Sequence, residues 1–138
     1  MPDQKKIRVA IIGATAYTSR EAIRWLLRHP NAEIVALCSR RDWMWRPHIH
    51  EVFPEFVGRL ELPIEEIEPA ALAGRVDVVM LCVPHAVATK YVPPLLQAGF
   101  RVIDFSAEGS EGYGVQLYAN TPEQVVLCYR TTFAPSSL

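Results

Sequence analysis

Apolar residues fall along the first hundred positions in short unbroken runs, separated by stretches of helical periodicity. The run Ile7-Arg8-Val9-Ala10-Ile11-Ile12 is nearly all apolar, as expected of a strand covered on both faces of a parallel sheet. Gly13 breaks it. From about Ser19 to His29, Ala22, Ile23, Leu26 and Leu27 recur at helical spacing opposite Arg20, Glu21, Arg24 and Arg28, which predicts an amphipathic helix. Thr18 and Glu21 have the spacing of a capping box, and Pro30 ends the helix. Glu33–Cys38 is a second strand, and Ser39–Gly58 reads as irregular. A short strand is expected at Leu60–Ile64 and a small helix at Pro69–Ala73, with Gly74 just past its end. Asp77–Val83 is the clearest buried strand. Ala86–Ala98 is helical, with Pro93 and Pro94 predicting a kink or a fresh start. Gly99 then leads into a strand at Arg101–Phe105. Glycines cluster after Ser106, and Val115–Ala119 and Val125–Tyr129 read as two further strands, antiparallel to each other.

Strand and helix alternating through short connections imply right-handed βαβ units. The fold class is therefore α/β, a doubly wound parallel sheet of the Rossmann-like kind, ending in a short irregular or antiparallel C-terminal extension. The expected strand order is 3-2-1-4-5, with ligand at the switch point beside the first strand.

Composition narrows the function classes. The chain has 138 residues, enough for one domain, and half of them are hydrophobic. With 14 basic and 15 acidic residues the net charge is −1, so binding of nucleic acid or an anionic membrane through bulk charge is disfavoured. The longest uncharged internal run, Val78–Thr89, is too short to span a bilayer, and no signal peptide is read at the start. Cys38, Cys82 and Cys128 are odd in number and unpaired in spacing, which suggests neither a disulfide framework nor a zinc site. A reduced, cytoplasmic protein is expected. His48 and His50 have no further ligand at convincing spacing, and no metal is expected there.

The candidate chemistry sits in loops that follow strands. Gly13-Ala14-Thr15-Ala16-Tyr17-Thr18-Ser19 joins the first strand to the first helix, where backbone N–H groups and the helix dipole can meet a diphosphate. Ala16 and Ser19 stand where a G-x-x-G-x-x-G pattern has its second and third glycines. The loop reads either as this anion site or as an ordinary tight turn. At the exit of the second strand, where an Asp or Glu would accept hydrogen bonds from an adenosine ribose, the chain has Ser39-Arg40-Arg41. A hydroxyl beside guanidinium groups suits a 2′-phosphate, which points to NADP over NAD. His85, after the buried strand and Pro84, reads as a cofactor contact or a solvent-facing helix start, and Ser106 is similar. Trp43 and Trp45 read as local packing or as a contact patch.

Several of these segments together resemble one family. Lys6 to Thr18, Arg28-His29-Pro30, Ser39-Arg40, His50-Glu51-Val52-Phe53-Pro54 with Gly58, Leu62-Pro63, Val76–Val79 with Val83-Pro84-His85, and Ala98–Ala107 are collinear with N-acetyl-gamma-glutamyl-phosphate reductase. The similarity runs from about residue 5 to 108, with a divergent tail over 109–138, all within a single domain at 1–138. The resemblance implies an NADP-binding domain of an arginine-biosynthetic oxidoreductase. Such an enzyme reduces an acyl phosphate to a semialdehyde by way of a cysteine thioester. It implies cofactor contacts from Gly13, Thr15, Ala16, Tyr17, Thr18, Ser39, Arg40, Arg41, Pro84, His85 and Ser106. The family's nucleophile motif is not intact: Val125–Thr131 keeps only Cys128, Tyr129 and Thr131. Cys128 reads as a buried strand cysteine or, less economically, as a nucleophile acting alone. No catalytic residue is therefore assigned. By the resemblance, the family's substrate domain is expected to be absent from these residues, and the lone chain is expected to bind NADP(H) with little turnover. It would meet a separate substrate domain or a second copy. The alternative is a non-catalytic scaffold or self-association module whose nucleotide site has decayed.

Overall fold

The computed structural model describes residues 5–40 and 46–105, the backbone of His85 but not its side chain, and the strand backbones of 108–109, 112–118 and 127–130. The elements run β1 (Ile7–Ile12), α1 (Tyr17–Arg28), β2 (Ala32–Cys38), α2 (Ile49–Val52), a 3₁₀ turn (Pro54–Phe56), β3 (Ile64–Glu65), α3 (Pro69–Leu72), β4 (Val78–Leu81), α4 (His85–Gln97), β5 (Arg101–Asp104), β6 (Glu108–Gly109), β7 (Gly112–Tyr118) and β8 (Leu127–Arg130). The first five strands lie parallel in the order β3-β2-β1-β4-β5. β7 then pairs antiparallel with β5, β6 and β8. The doubly wound sheet and its antiparallel extension are both as expected.

The sheet buries both faces, which is why its strands read as continuous apolar runs. On one face Ala10, Ile12, Val79, Leu81 and Val102 pack with Ala88, Val92 and Leu95 of α4 and Leu72 of α3. On the other, Val9, Ile11, Ile34 and Leu37 pack with Ile23 of α1 and with Ile49, Phe53 and Phe56. Ile34 and Leu37 are three apart yet share a face. The β1–β2 register shifts between Val9 and Ala10, so β2 carries an extra residue there, and that one-residue slip resets which side chains face each way. Ion pairs tie the sheet's start and its flank. Arg8 grips Asp77 at 3.1 Å and donates to the Gly74 carbonyl at 2.8 Å. Glu55 accepts from Arg20 at 2.6 Å and Arg24 at 2.7 Å, fastening the 53–56 turn to α1.

Four local expectations need correcting. α1 begins at Tyr17, not Ser19, with Ala16 at its N-cap and no side-chain cap. The Thr18–Glu21 capping box does not form, because Thr18 already lies within the helix. The stretch 39–58 is not wholly irregular: Ile49, Phe53 and Phe56 are buried, and such tertiary contacts stabilise turns too short to show a periodicity. The strand expected at Leu60–Ile64 is only Ile64–Glu65. Finally, α4 runs through Pro93 and Pro94 without a fresh start. The carbonyls that Pro93 and Pro94 leave without helical donors belong to Thr89 and Lys90, both exposed, so continuing the helix buries no unpaired acceptor there. No helix among the described residues is long and apolar enough to cross a membrane.

Candidate functional site: a cleft at the strand exits

The exits of β1, β2 and β4 converge on one cleft of about 510 Å³, lined by Gly13, Thr15, Ala16, Ser39, Arg40, Cys82, Val83 and Pro84. Its volume falls in the ~300–1,000 Å³ range usual for small-molecule sites. The floor is the β1–α1 turn. The Gly13 and Ala14 N–H groups both donate to the Cys38 carbonyl, at 2.8 and 2.9 Å, and the Ala16 N–H donates to the Gly13 carbonyl at 3.1 Å. Gly13 sits at φ +90, and a Cβ there would meet the Cys82 carbonyl oxygen at 2.3 Å. Only glycine suits that backbone and that clearance. Ala16 has φ −78, a conformation open to any residue, so alanine at this second position costs no backbone strain.

The helix aimed at the turn leaves its N-terminus open. Its first helical hydrogen bond runs from the Arg20 N–H to the Ala16 carbonyl, at 3.1 Å. The N–H groups of Tyr17, Thr18 and Ser19 precede it, with no side-chain cap and no acidic residue in the first turn. That is a partial positive charge with nothing local to neutralise it. Ser19 itself is buried with no partner for its Oγ, and it is not among the residues lining the cleft.

On the β2 side, the Ser39 N–H donates to the Glu65 carbonyl at 3.0 Å, which fixes the strand exit. Ser39 is buried and Arg40 exposed. No ion pair to Arg40 is found among the described residues. On the β4 side the wall is apolar. Cys82 and Val83 are buried, and burial first, then the Asp104 carboxylate, pushes the Cys82 thiol up to about 12. Cys38 is likewise pushed up to about 12, chiefly by burial, so both thiols are protonated at neutral pH and neither is a ready nucleophile.

Of the residues expected at the site, Gly13, Thr15, Ala16, Ser39, Arg40 and Pro84 come together. Tyr17 and Thr18 do not line the cleft: both are exposed, Tyr17 at 81%, because the helix has already begun and turns their side chains outward. Arg41 and Ser106 lie outside the described residues, as do Trp43 and Trp45 and the side chain of His85. Cys128 falls in β8 opposite Gln116, and its side chain is likewise not described. Cys82 and Val83 are lining residues that the sequence reading missed. The expected strand overran the true end of β4 by these two positions. Among the described residues, no group of three or more His, Cys, Asp or Glu is placed to hold a metal. The His48 side chain is instead engaged in capping α2.

Residues 8–110 match the semialdehyde dehydrogenase NAD-binding domain family. The chain belongs to that family. An N-acetyl-gamma-glutamyl-phosphate reductase of Nitrosococcus oceani is 48% identical over 102 residues, which are 74% of this chain and 29% of that protein. The reductase of Rhodopirellula baltica is 40% identical over the same shares. Among solved structures, the aspartate semialdehyde dehydrogenase of Candida albicans, with NADP, superposes with a TM-score of 0.62 at 21% identity, over 72% of this chain and 29% of that one; this is a likeness of fold. The 3-ketoreductase KijD10 of Actinomadura kijaniata, in complex with NADP and TDP-benzene, gives 0.55 at 27% identity over the same shares. The chain thus spans about 29% of the length of the curated relatives it matches, and the resemblance read from its motifs extends through the aligned region.

Proposed function

We propose that this domain binds NADP(H) across the cleft and serves as the cofactor half of an acyl-phosphate reductase like the N-acetyl-gamma-glutamyl-phosphate reductases. The observation that carries this reading is the uncapped N-terminus of α1 facing a cleft that ends at Ser39 and Arg40. The diphosphate lies against the Gly13–Thr18 turn, whose N–H groups and helix dipole suit an anion. The 2′-phosphate lies at Ser39, Arg40 and Arg41, where a carboxylate would repel it and guanidinium groups attract it. Pro84, His85 and Ser106 border the nicotinamide half. When bound, the dinucleotide supplies hydride; the chain's own residues bind, orient and shield it. The nucleophile and substrate contacts come from a separate domain or a partner copy. The surroundings are the cytoplasm, where a biosynthetic reductase finds NADPH.

Titration of the 138-residue chain with NADPH, followed by cofactor fluorescence and by thermal melting, tests this. A saturable signal and a melting point that climbs with ligand are expected. No response at millimolar NADPH, together with a stable dimer in light scattering, would favour the scaffold alternative instead.

A further inference from the structure

The outer face of α1 is not the polar face usual for a helix lying on a sheet. Tyr17, Thr18, Glu21, Trp25 and Arg28 are its exposed residues, and helical geometry gathers them within an arc of about 100°. Trp25 is 69% exposed. A single exposed apolar side chain needs no explanation, but the surroundings of Trp25 are particular. A hollow of about 410 Å³ opens beside it, where the chain leaves the helix, lined by Trp25 itself with Leu26, Arg28, His29 and Pro30.

Charges flank the indole on both sides. Glu21 lies one turn before Trp25 and Arg28 one turn after it. The Arg28 Cζ stands 5.8 Å from the centre of the Trp25 ring, and no carboxylate pairs with Arg28 among the described residues. Glu21 gives its Oε1 to Arg24 at 2.6 Å, while its Oε2 has no partner among those residues. Arg20 and Arg24 are both satisfied by Glu55. The stripe thus offers one knob, one hollow beside it, one cation and one open carboxylate oxygen.

Such a set fits a copy of itself. In an isologous contact one patch meets the same patch across a two-fold axis. With the axis beside Trp25 and the two helices antiparallel, each indole enters the hollow of the other copy. The residue four before the axis then faces the residue three after it, so Glu21 of each copy meets Arg28 of the other. A strongly acidic partner would gain from Arg28 but be repelled by Glu21, and a basic one the reverse. The patch complements its own charges.

We propose that the outer face of α1 is a self-association surface, whose occupant is α1 of a second copy of this chain crossing it antiparallel at Trp25. Tyr17, at the helix tip, is ~12 Å along the axis from Trp25, so the contact uses none of the cleft's residues and does not depend on the cofactor reading. Two helices crossing once cover less than the ~800 Å² per partner of a standard interface. The dimer is therefore weak, with a dissociation constant on the order of 10–100 µM.

Sedimentation equilibrium of the 138-residue chain at concentrations spanning that range tests this, with a melting curve for each variant to check its fold. The wild type is expected to show a reversible monomer–dimer equilibrium. Trp25→Ala should weaken it at least ~10-fold, as loss of a central aromatic anchor does. Arg28→Glu sets two carboxylates against each other and should weaken it roughly 3- to 10-fold, and adding Glu21→Arg to the same chain should restore it. That rescue is peculiar to the antiparallel two-fold register, because damage to a fold or loss of a merely adhesive surface is not repaired by a second charge reversal. A wild type that stays monomeric throughout overturns the proposal. So does a dimer indifferent to Trp25→Ala, or an Arg28→Glu defect that Glu21→Arg leaves unrepaired in a folded chain. Should the double variant not fold, the Trp25→Ala result decides.

Discussion

At the β2 exit the cleft ends in an exposed guanidinium, Arg40, on a strand end pinned to the Glu65 carbonyl. At the β4 exit it ends in buried Cys82 and Val83, with the buried Asp104 one strand over. The first end is polar and wet, where a charge can recognise a phosphate at little desolvation cost. The second is apolar, where a ligand is held by hydrophobic contact rather than by charge. Polar recognition and apolar contact call for opposite surroundings, and the parallel sheet supplies both by spacing strand exits along one edge. Gly13 is where the two ends meet, since its turn hangs from Cys38 on one side and abuts Cys82 on the other.

That junction is the place to break the comparison outright. Gly13→Ala drives a methyl into the Cys82 carbonyl and imposes φ +90 on an L-residue; a loss of ~3 kcal/mol or more in urea unfolding is expected. Gly58→Ala is the control. Its φ is +77 but nothing lies within 4 Å of its Cβ position, so only the backbone penalty of ~1–2 kcal/mol should be seen. The wet end alone is removed by Arg40→Ala, which should weaken NADPH roughly 10- to 100-fold, the worth of one charge-assisted phosphate contact, and leave NADH nearly unchanged. Equal losses for the two cofactors would show that the β2 exit does not read the 2′-phosphate.

Smaller effects come from the flank. Arg20 and Arg24 hold the Glu55 carboxyl down at about 2, against an ordinary value near 4.5. A depressed folded pKa means that this contribution is complete above about pH 4.5 and fades as pH falls toward 2. Melting temperature should therefore drop across that window in the wild type. Glu55→Gln should flatten the drop, leaving the similar share from Asp77, which Arg8 holds at about 2. Smallest of all is Ser19→Ala. Removing a buried hydroxyl without a partner should leave stability unchanged or raise it by up to ~1 kcal/mol in chemical denaturation.

The four long parallel strands were legible because burial on both faces writes them as continuous apolar runs, and their order followed from the handedness of the crossovers. The wet end was legible too: Ser39 and Arg40 follow a strand, and the missing carboxylate is visible in the sequence. The dry end was less so. Cys82 and Val83 look like two more strand residues, since an apolar wall and an apolar core have the same composition. Asp104 did leave a signal, a carboxylate closing an apolar run, but burial distinguishes it from an exposed strand end only once Leu81 is placed beside it. The start of α1 was misplaced because Thr18 and Glu21 mimic a cap, whereas the helix is begun by the turn that Gly13 forces and needs no side chain to start it.

The contact between Gly13 and the Cys82 carbonyl leaves less than a methyl's clearance between two loops that are distant in sequence. The Cys82 N–H also donates to the Ile12 carbonyl at 2.8 Å, so the two loops can neither close on each other nor part without losing a backbone hydrogen bond. A side chain at position 13 would wedge these strand exits apart before it reached any ligand.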